Sequence, residues 1–111
     1  MSAIRPNQLQ ALQAEQPQTI LIDLRTPGEF EAGTIPGARN LPWSDGLAET
    51  IAARVPRSTP VVFVCAWGHR SVVASISLRR QGFTTVAYLE GGLESWGLSG
   101  MTVERGRPEH P

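Results

Sequence analysis

Apolar residues in this chain fall into short unbroken runs that alternate with segments spaced at helical intervals. Thr19-Ile20-Leu21-Ile22 lacks the in-out alternation of a half-exposed strand, so it reads as a strand buried on both faces, ending at Asp23. Pro60-Val61-Val62-Phe63-Val64 is the strongest strand pattern, β-branched and aromatic, and runs directly into Cys65. Ala38 to Leu41 and Thr84 to Leu89 give two further strands. Between them lie helices. Pro6 suits a first helical position, and Leu9 and Leu12 define a short amphipathic helix ending near Pro17. Thr26-Pro27-Gly28-Glu29 has capping-box spacing and predicts a brief helix through Phe30, closed before Gly33. Ser44 is placed to cap a helix carrying Leu47, Ile51 and Val55, which Pro56 stops. Ser71 to Gln81 reads as a helix with Val72, Val73, Ile76 and Arg80 marking its inner face and Gly82 as its C-terminal cap. Gly91-Gly92 opens a last short helix with Leu93 and Trp96; Trp43 and Trp96 are expected in or near the core. Strand and helix alternate throughout, which predicts an α/β fold with a mainly parallel central sheet.

A chain of 111 residues supports one packed core, and the expected domain spans residues 1–105, with 106–111 a loose tail rich in proline, glycine and charge. Ten basic side chains balance ten acidic ones, so no whole-molecule field draws the protein to nucleic acid or to an acidic membrane surface. The N-terminal residues hold no apolar run behind a basic cluster, and no segment has the length of a spanning helix. The expectation is a soluble cytoplasmic protein that contacts neither nucleic acid nor membrane. A single cysteine excludes an internal disulfide and a cysteine-cluster metal site, and nothing calls for a metal or other cofactor. Cys65 is therefore either a small apolar core residue or a reactive thiol.

Its surroundings decide. Ligands of open α/β sheets bind beyond the carboxyl ends of the strands, and two polar segments leave such ends: Asp23-Leu24-Arg25, and Cys65-Ala66-Trp67-Gly68-His69-Arg70. A loop between a buried strand and a helix start can turn its N–H groups inward as an anion nest, where the helix dipole adds positive potential. A cysteine held there is placed to act as a nucleophilic thiolate. Gly68 allows close approach of backbone to ligand. Arg70, a cation at a helix N-terminus, opposes the macrodipole, an arrangement that a bound anion would compensate; its guanidinium matches an oxyanion.

The remaining loop residues have plainer readings. His69 reads as a solvent-facing loop histidine rather than a general base. Ser71 is expected to cap the helix, with donation to the thiolate as the alternative. Trp67 either walls the pocket or packs over it. Asp23, Arg25, Glu29 and Arg39 read as a supporting polar network at the same sheet edge, with substrate contact as the alternative.

At this point the chain resembles the rhodanese family over nearly its whole length. Asp23-Leu24-Arg25 followed by Glu29 through Pro42 is similar to that family's first signature, Val61 through Ser71 to its active-site strand and loop, and Leu89 through Trp96 to its closing motif. Thr34 departs from the histidine that many members carry before Ile-Pro-Gly. The resemblance implies a five-stranded rhodanese-like domain, Cys65 as persulfide carrier and Arg70 in the substrate loop. The implied activity is that of a thiosulfate:cyanide-type sulfurtransferase, taking a sulfane sulfur from a small-molecule donor and passing it to a thiol or protein acceptor. Cysteine phosphatases and arsenate reductases have a similar loop with five residues between Cys and Arg. Here four separate Cys65 from Arg70, which ranks a phosphatase-like enzyme below the sulfurtransferase. A non-catalytic rhodanese-like binding module ranks lower still, because such modules usually lose the cysteine.

Overall fold

The computed structural model describes residues 2–66 and 69–107. Five strands, β1 (Ser2–Ile4), β2 (Ile20–Asp23), β3 (Arg39–Asn40), β4 (Val61–Val64) and β5 (Val86–Leu89), form one sheet in the order β1-β5-β4-β2-β3, and every pairing is parallel. The helices are α1 (Pro6–Glu15), α2 (Pro27–Ala32), α3 (Leu47–Ala52), α4 (His69–Arg80) and α5 (Gly92–Leu98). The α/β architecture with a parallel five-stranded sheet is thus present. β1 is the strand that the hydrophobic pattern misses: three residues, Ser2-Ala3-Ile4, carry no readable period, and only pairing with β5 defines them.

The sheet separates two apolar layers, as alternating residues of the central strands require. Ile22, Val61, Phe63, Cys65 and Val86 pack on one face with Leu47 and Ile51 of α3 and Ala74 and Leu78 of α4. Leu21, Val62, Val64, Ala87 and Leu89 pack on the other with Leu9 of α1 and Trp96 of α5. Trp96 is buried and donates its indole N–H to the Thr102 carbonyl at 2.7 Å, whereas Trp43 is partly buried against the first layer.

Three local expectations are corrected. The helix assigned to Ser44 as cap begins three residues later at Leu47, with Gly46 at the N-cap in a left-handed conformation (φ 79°). Helix α4 starts at His69, so Ser71 is its third residue and lies too far inside to cap it. The buried face of α4 is also rotated from the one expected: Ser71, Ala74, Ser75 and Leu78 face inward, while Val73 and Ile76 are 49% and 42% exposed. Serine reads as polar in a hydrophobicity pattern. Here it is small enough to sit against the sheet, and the Ser75 hydroxyl satisfies itself by donating to the Ser71 carbonyl one turn back, at 2.8 Å. Gly82 does close this helix, with φ 98°.

The chain after α5 folds back across the molecule. Thr34 and Glu104 form an antiparallel bridge, and the Gly106 N–H donates to the Phe30 carbonyl at 3.1 Å. The last four residues of the expected tail, 108–111, lie outside the described residues.

The rotated face of α4 yields a direct test. Leu78→Ala empties a fully buried position and should cost about 2–5 kcal/mol, whereas Ile76→Ala should stay within roughly 0.5 kcal/mol, both read from urea unfolding midpoints. The reverse ranking would restore the face inferred from the sequence pattern.

Candidate functional site

Strands β2 and β4 are neighbours, but the chain leaves them in opposite directions along the sheet, from β2 to the β3 edge and from β4 towards β5. This makes the space beyond their carboxyl ends the switch point at which open α/β sheets hold ligands. The two segments singled out from the sequence flank it. Asp23 is in register with Val64, and the Leu24 N–H donates to the Val64 carbonyl at 2.8 Å.

On the β2 side the centre is Asp23, which is fully buried. A buried carboxylate is costly unless its lone pairs are filled. Arg25 supplies most of the donors, from its backbone N–H (2.9 Å), its Nε (3.1 and 3.2 Å) and its Nη2 (2.8 Å). The Thr34 hydroxyl gives another at 2.8 Å. Arg25 Nη2 also donates to the Gly33 carbonyl, and the Asn40 amide donates to the carbonyls of Asp23 and Arg25, both at 3.0 Å. The ion pair therefore ties β2, the end of α2 and β3 together. Thr34 and Asn40 belong to this network although no periodicity marks them. Their role depends on which side chains the fold brings to Asp23.

Glu29 and Arg39, which the sequence suggested as further members, lie elsewhere. Glu29 closes the capping box of α2: Thr26 N–H donates to its carboxylate at 3.1 Å, and Glu29 N–H donates to the Thr26 hydroxyl at 3.3 Å. Its pKa is lowered from the ordinary 4.5, first by the Thr26 backbone N–H and then by the Thr26 hydroxyl, with the charges of Arg25 and Arg70 adding to the effect. The starts of α2 and α4 thus share one electrostatic neighbourhood. Arg39 is exposed on the edge strand.

On the β4 side Cys65 follows the strand directly, is 6% exposed and belongs to the α3/α4 layer. Ala66 is half-buried in a bend, and His69 and Arg70 are exposed on the first turn of α4. Ser71 is fully buried, and its hydroxyl has no hydrogen-bond partner among the described residues. Trp67 and Gly68, the middle of the expected loop, lie outside the described residues. The loop's opening is fixed from the far side by α5. Leu93 N–H donates to the Cys65 carbonyl at 2.8 Å, and Gly92, at φ 63°, lies so close that a Cβ there would fall 2.2 Å from the Cys65 oxygen and 2.5 Å from that of Ala66. The paired glycines read from the sequence as a helix start are also the condition for this contact.

The sequence and the fold have counterparts among known proteins. The Rhodanese-like domain family matches residues 5–99. A sulfurtransferase of Allochromatium vinosum is 34% identical over 90 residues, covering 81% of this chain and 82% of the relative. The adenylyltransferase and sulfurtransferase UBA4 of Meyerozyma guilliermondii is 31% identical over 83 residues, but the match spans only 20% of that longer protein. The fold superposes on a thiosulfate sulfurtransferase of Pseudomonas aeruginosa with a TM-score of 0.84 and 25% identity, covering 98% of this chain and 21% of that one. The chain belongs to the rhodanese family, and its named relatives support sulfurtransferase activity in the broad sense. No helix among the described residues is long and apolar enough to cross a membrane.

Two outcomes follow from the site. Gly92→Ala combines a left-handed backbone with contact on two carbonyl oxygens and should destabilise the fold by roughly 2 kcal/mol or more in urea unfolding. A variant as stable as wild type would mean that the loop yields without cost. Because Glu29 has a folded pKa below its unfolded one, its ionised form contributes stability at pH above 4.5, and this is lost as pH falls through the folded value. Glu29→Gln should accordingly be less stable than wild type at neutral pH, with the gap closing as pH is taken below 4.5. A gap independent of pH would assign the capping contribution to hydrogen bonding alone.

Proposed function

We propose that the protein is a sulfurtransferase of the thiosulfate:cyanide type, carrying the transferred sulfur as a persulfide on Cys65. The observation that carries this reading is the placement of Cys65 at the carboxyl end of β4, beside the switch point and four residues before the start of α4 at His69, with Arg70 on that helix's first turn. In the first half-reaction the Cys65 thiolate attacks the outer sulfur of thiosulfate. The sulfur–sulfur bond breaks, and sulfite leaves with the electron pair. In the second, an external thiophile attacks the outer sulfur of the persulfide and Cys65 leaves as thiolate. Cyanide gives thiocyanate, and a thiol gives its own persulfide. With one cysteine in the chain the acceptor comes from outside.

Loop N–H groups and the amino end of the α4 dipole supply positive potential for the bound anion. Arg70 grips the sulfonate end of the donor and offsets the carboxylate of Glu29, whose titration it influences. The Ser71 hydroxyl, buried without a partner among the described residues, is the side-chain donor at hand for the sulfur on Cys65. Asp23 and Arg25 support the site by fixing the neighbouring loop. The Pseudomonas aeruginosa structure, named a thiosulfate sulfurtransferase, supports thiosulfate as the donor.

Incubation with thiosulfate should add the mass of one sulfur atom to the intact protein, removable by cyanide and absent in Cys65→Ser. Arg70→Ala should lower kcat/KM for thiosulfate roughly 10- to 150-fold, the equivalent of one charged hydrogen bond, without loss of folding. An unchanged mass in folded wild-type protein would favour a binding module. Hydrolysis of aryl phosphates that disappears in Cys65→Ser would favour the phosphatase class.

A further inference from the structure

One side of the Cys65 loop has no part in the chemistry above, and it is apolar. Ala66 forms one wall of an open groove of about 430 Å3 whose other walls are Leu93 and Leu98 of α5 and Val103, with Arg25 and Glu94 at the rim. Leu98 is 81% exposed and Val103 45%. Gly97 lines the groove between the two leucines, and a Cβ built on it would meet no described residue within 4 Å. Its φ is not positive, so neither backbone conformation nor packing among the described residues calls for glycine, a residue that weakens helices. Among those residues nothing fills the notch, which leaves it open to a visitor.

The donor is not that occupant. Thiosulfate is a small hydrated dianion that needs N–H donors and a guanidinium, and leucine side chains offer it nothing. The acceptor remains, since the sulfur must leave to an external thiophile. The rim charges narrow the choice further. Arg25 is committed to Asp23 and to the Gly33 carbonyl, and this pair is the only ion pair among the described residues. Glu94 is thus the charge still available to a visitor, and it selects a cation.

We propose that this groove docks the sulfur acceptor, and that the acceptor is a protein thiol flanked by an apolar side chain, which seats over Gly97, and a basic one, which meets Glu94. This rests on the reading of Cys65 as a sulfur carrier. The acceptor thiolate, having given its proton to solvent, attacks the outer sulfur of the Cys65 persulfide. The sulfur–sulfur bond breaks and Cys65 takes the electron pair. The acceptor becomes a persulfide and no net redox change occurs.

The test uses two synthetic peptides, acetyl-Lys-Cys-Leu-Gly amide and acetyl-Glu-Cys-Ser-Gly amide, with glutathione and cyanide as small acceptors. Discharge of thiosulfate-loaded protein is followed by intact mass in wild type, Gly97→Gln, Leu98→Ser and Glu94→Lys. Wild type should discharge to the basic-apolar peptide roughly tenfold faster than to the acidic-polar one or to glutathione. Gly97→Gln and Leu98→Ser should remove that preference, and Glu94→Lys should invert its charge component, while loading and discharge to cyanide stay within about twofold of wild type. Gly97→Gln should be at least as stable as wild type in urea, which separates blocked docking from damaged folding. A second arm needs no persulfide: the same peptides, activated as 2-pyridyl disulfides, react with Cys65 and release pyridine-2-thione, and the same ranking is expected. If thiosulfate adds no sulfur but the disulfide arm keeps the ranking, the groove stands and the sulfurtransferase reading falls. The groove proposal is overturned by equal rates for both peptides and glutathione, by variants that slow cyanide as much as peptide, or by variants that change the sedimentation of the protein, which would make the occupant a second copy.

Discussion

The carbonyls of Cys65 and Ala66 lie against the bare Cα of Gly92, and the geometry of the site depends on that approach. It brings the start of α5 under Cys65 and Ala66, so that the Leu93 N–H satisfies the Cys65 carbonyl and the chain leaving β4 is fixed on its β5 side. Helix α4 begins at His69. Cys65, the first turn of α4 and the apolar surface of α5 thereby lie at one edge of the sheet. A side chain at Gly92 would separate elements that are far apart in sequence and act only together.

The opposite wall is built on different physics. Asp23 is buried beyond the reach of water, and it is tolerated because Arg25 and Thr34 fill its oxygens. A buried pair of this kind is weak evidence of stability but strong evidence of geometry, since removing either partner strands a charge. It spans β2, the end of α2 and the β3 edge, and the Thr34 bridge to Glu104 extends it to the C-terminal strap. The Thr34 hydroxyl therefore contributes directly to the wall, although it lies outside the segment that follows Cys65.

The two faces of α5 differ in what covers them. Trp96 turns inward, is buried and closes its hydrogen bond on Thr102. Leu98 turns outward with its apolar surface in water, beside a glycine that nothing among the described residues requires. Exposed leucines are common singly. On the proposed reading, in which Cys65 hands its sulfur to an outside molecule, this one acquires a use.

Local periodicity carried much of the architecture. Unbroken apolar runs marked β2 and β4, because strands buried on both faces tolerate few polar residues, and the capping box at Thr26 and Glu29 and the cap at Gly82 are local chemistry that operates within a few residues. The α/β class and the position of Cys65 at the end of a strand were legible for the same reason. What escaped depends on contacts between distant segments. β1 is a strand only because β5 pairs with it. The inner face of α4 is made of serine and alanine because the sheet lies close, a distance that no hydrophobicity pattern encodes. Glu29 and Arg39 read as members of one polar network with Asp23 and Arg25, yet the carboxylate is served by Arg25 and by Thr34, which the turns of the chain deliver to it. Which segments become strands and helices, and that the lone cysteine ends a strand, follow from the local pattern of residues, since those choices rest on short-range propensity and burial. Which polar groups meet and which face stays open come only with the packed fold, because these depend on how elements pack after the chain has folded back on itself.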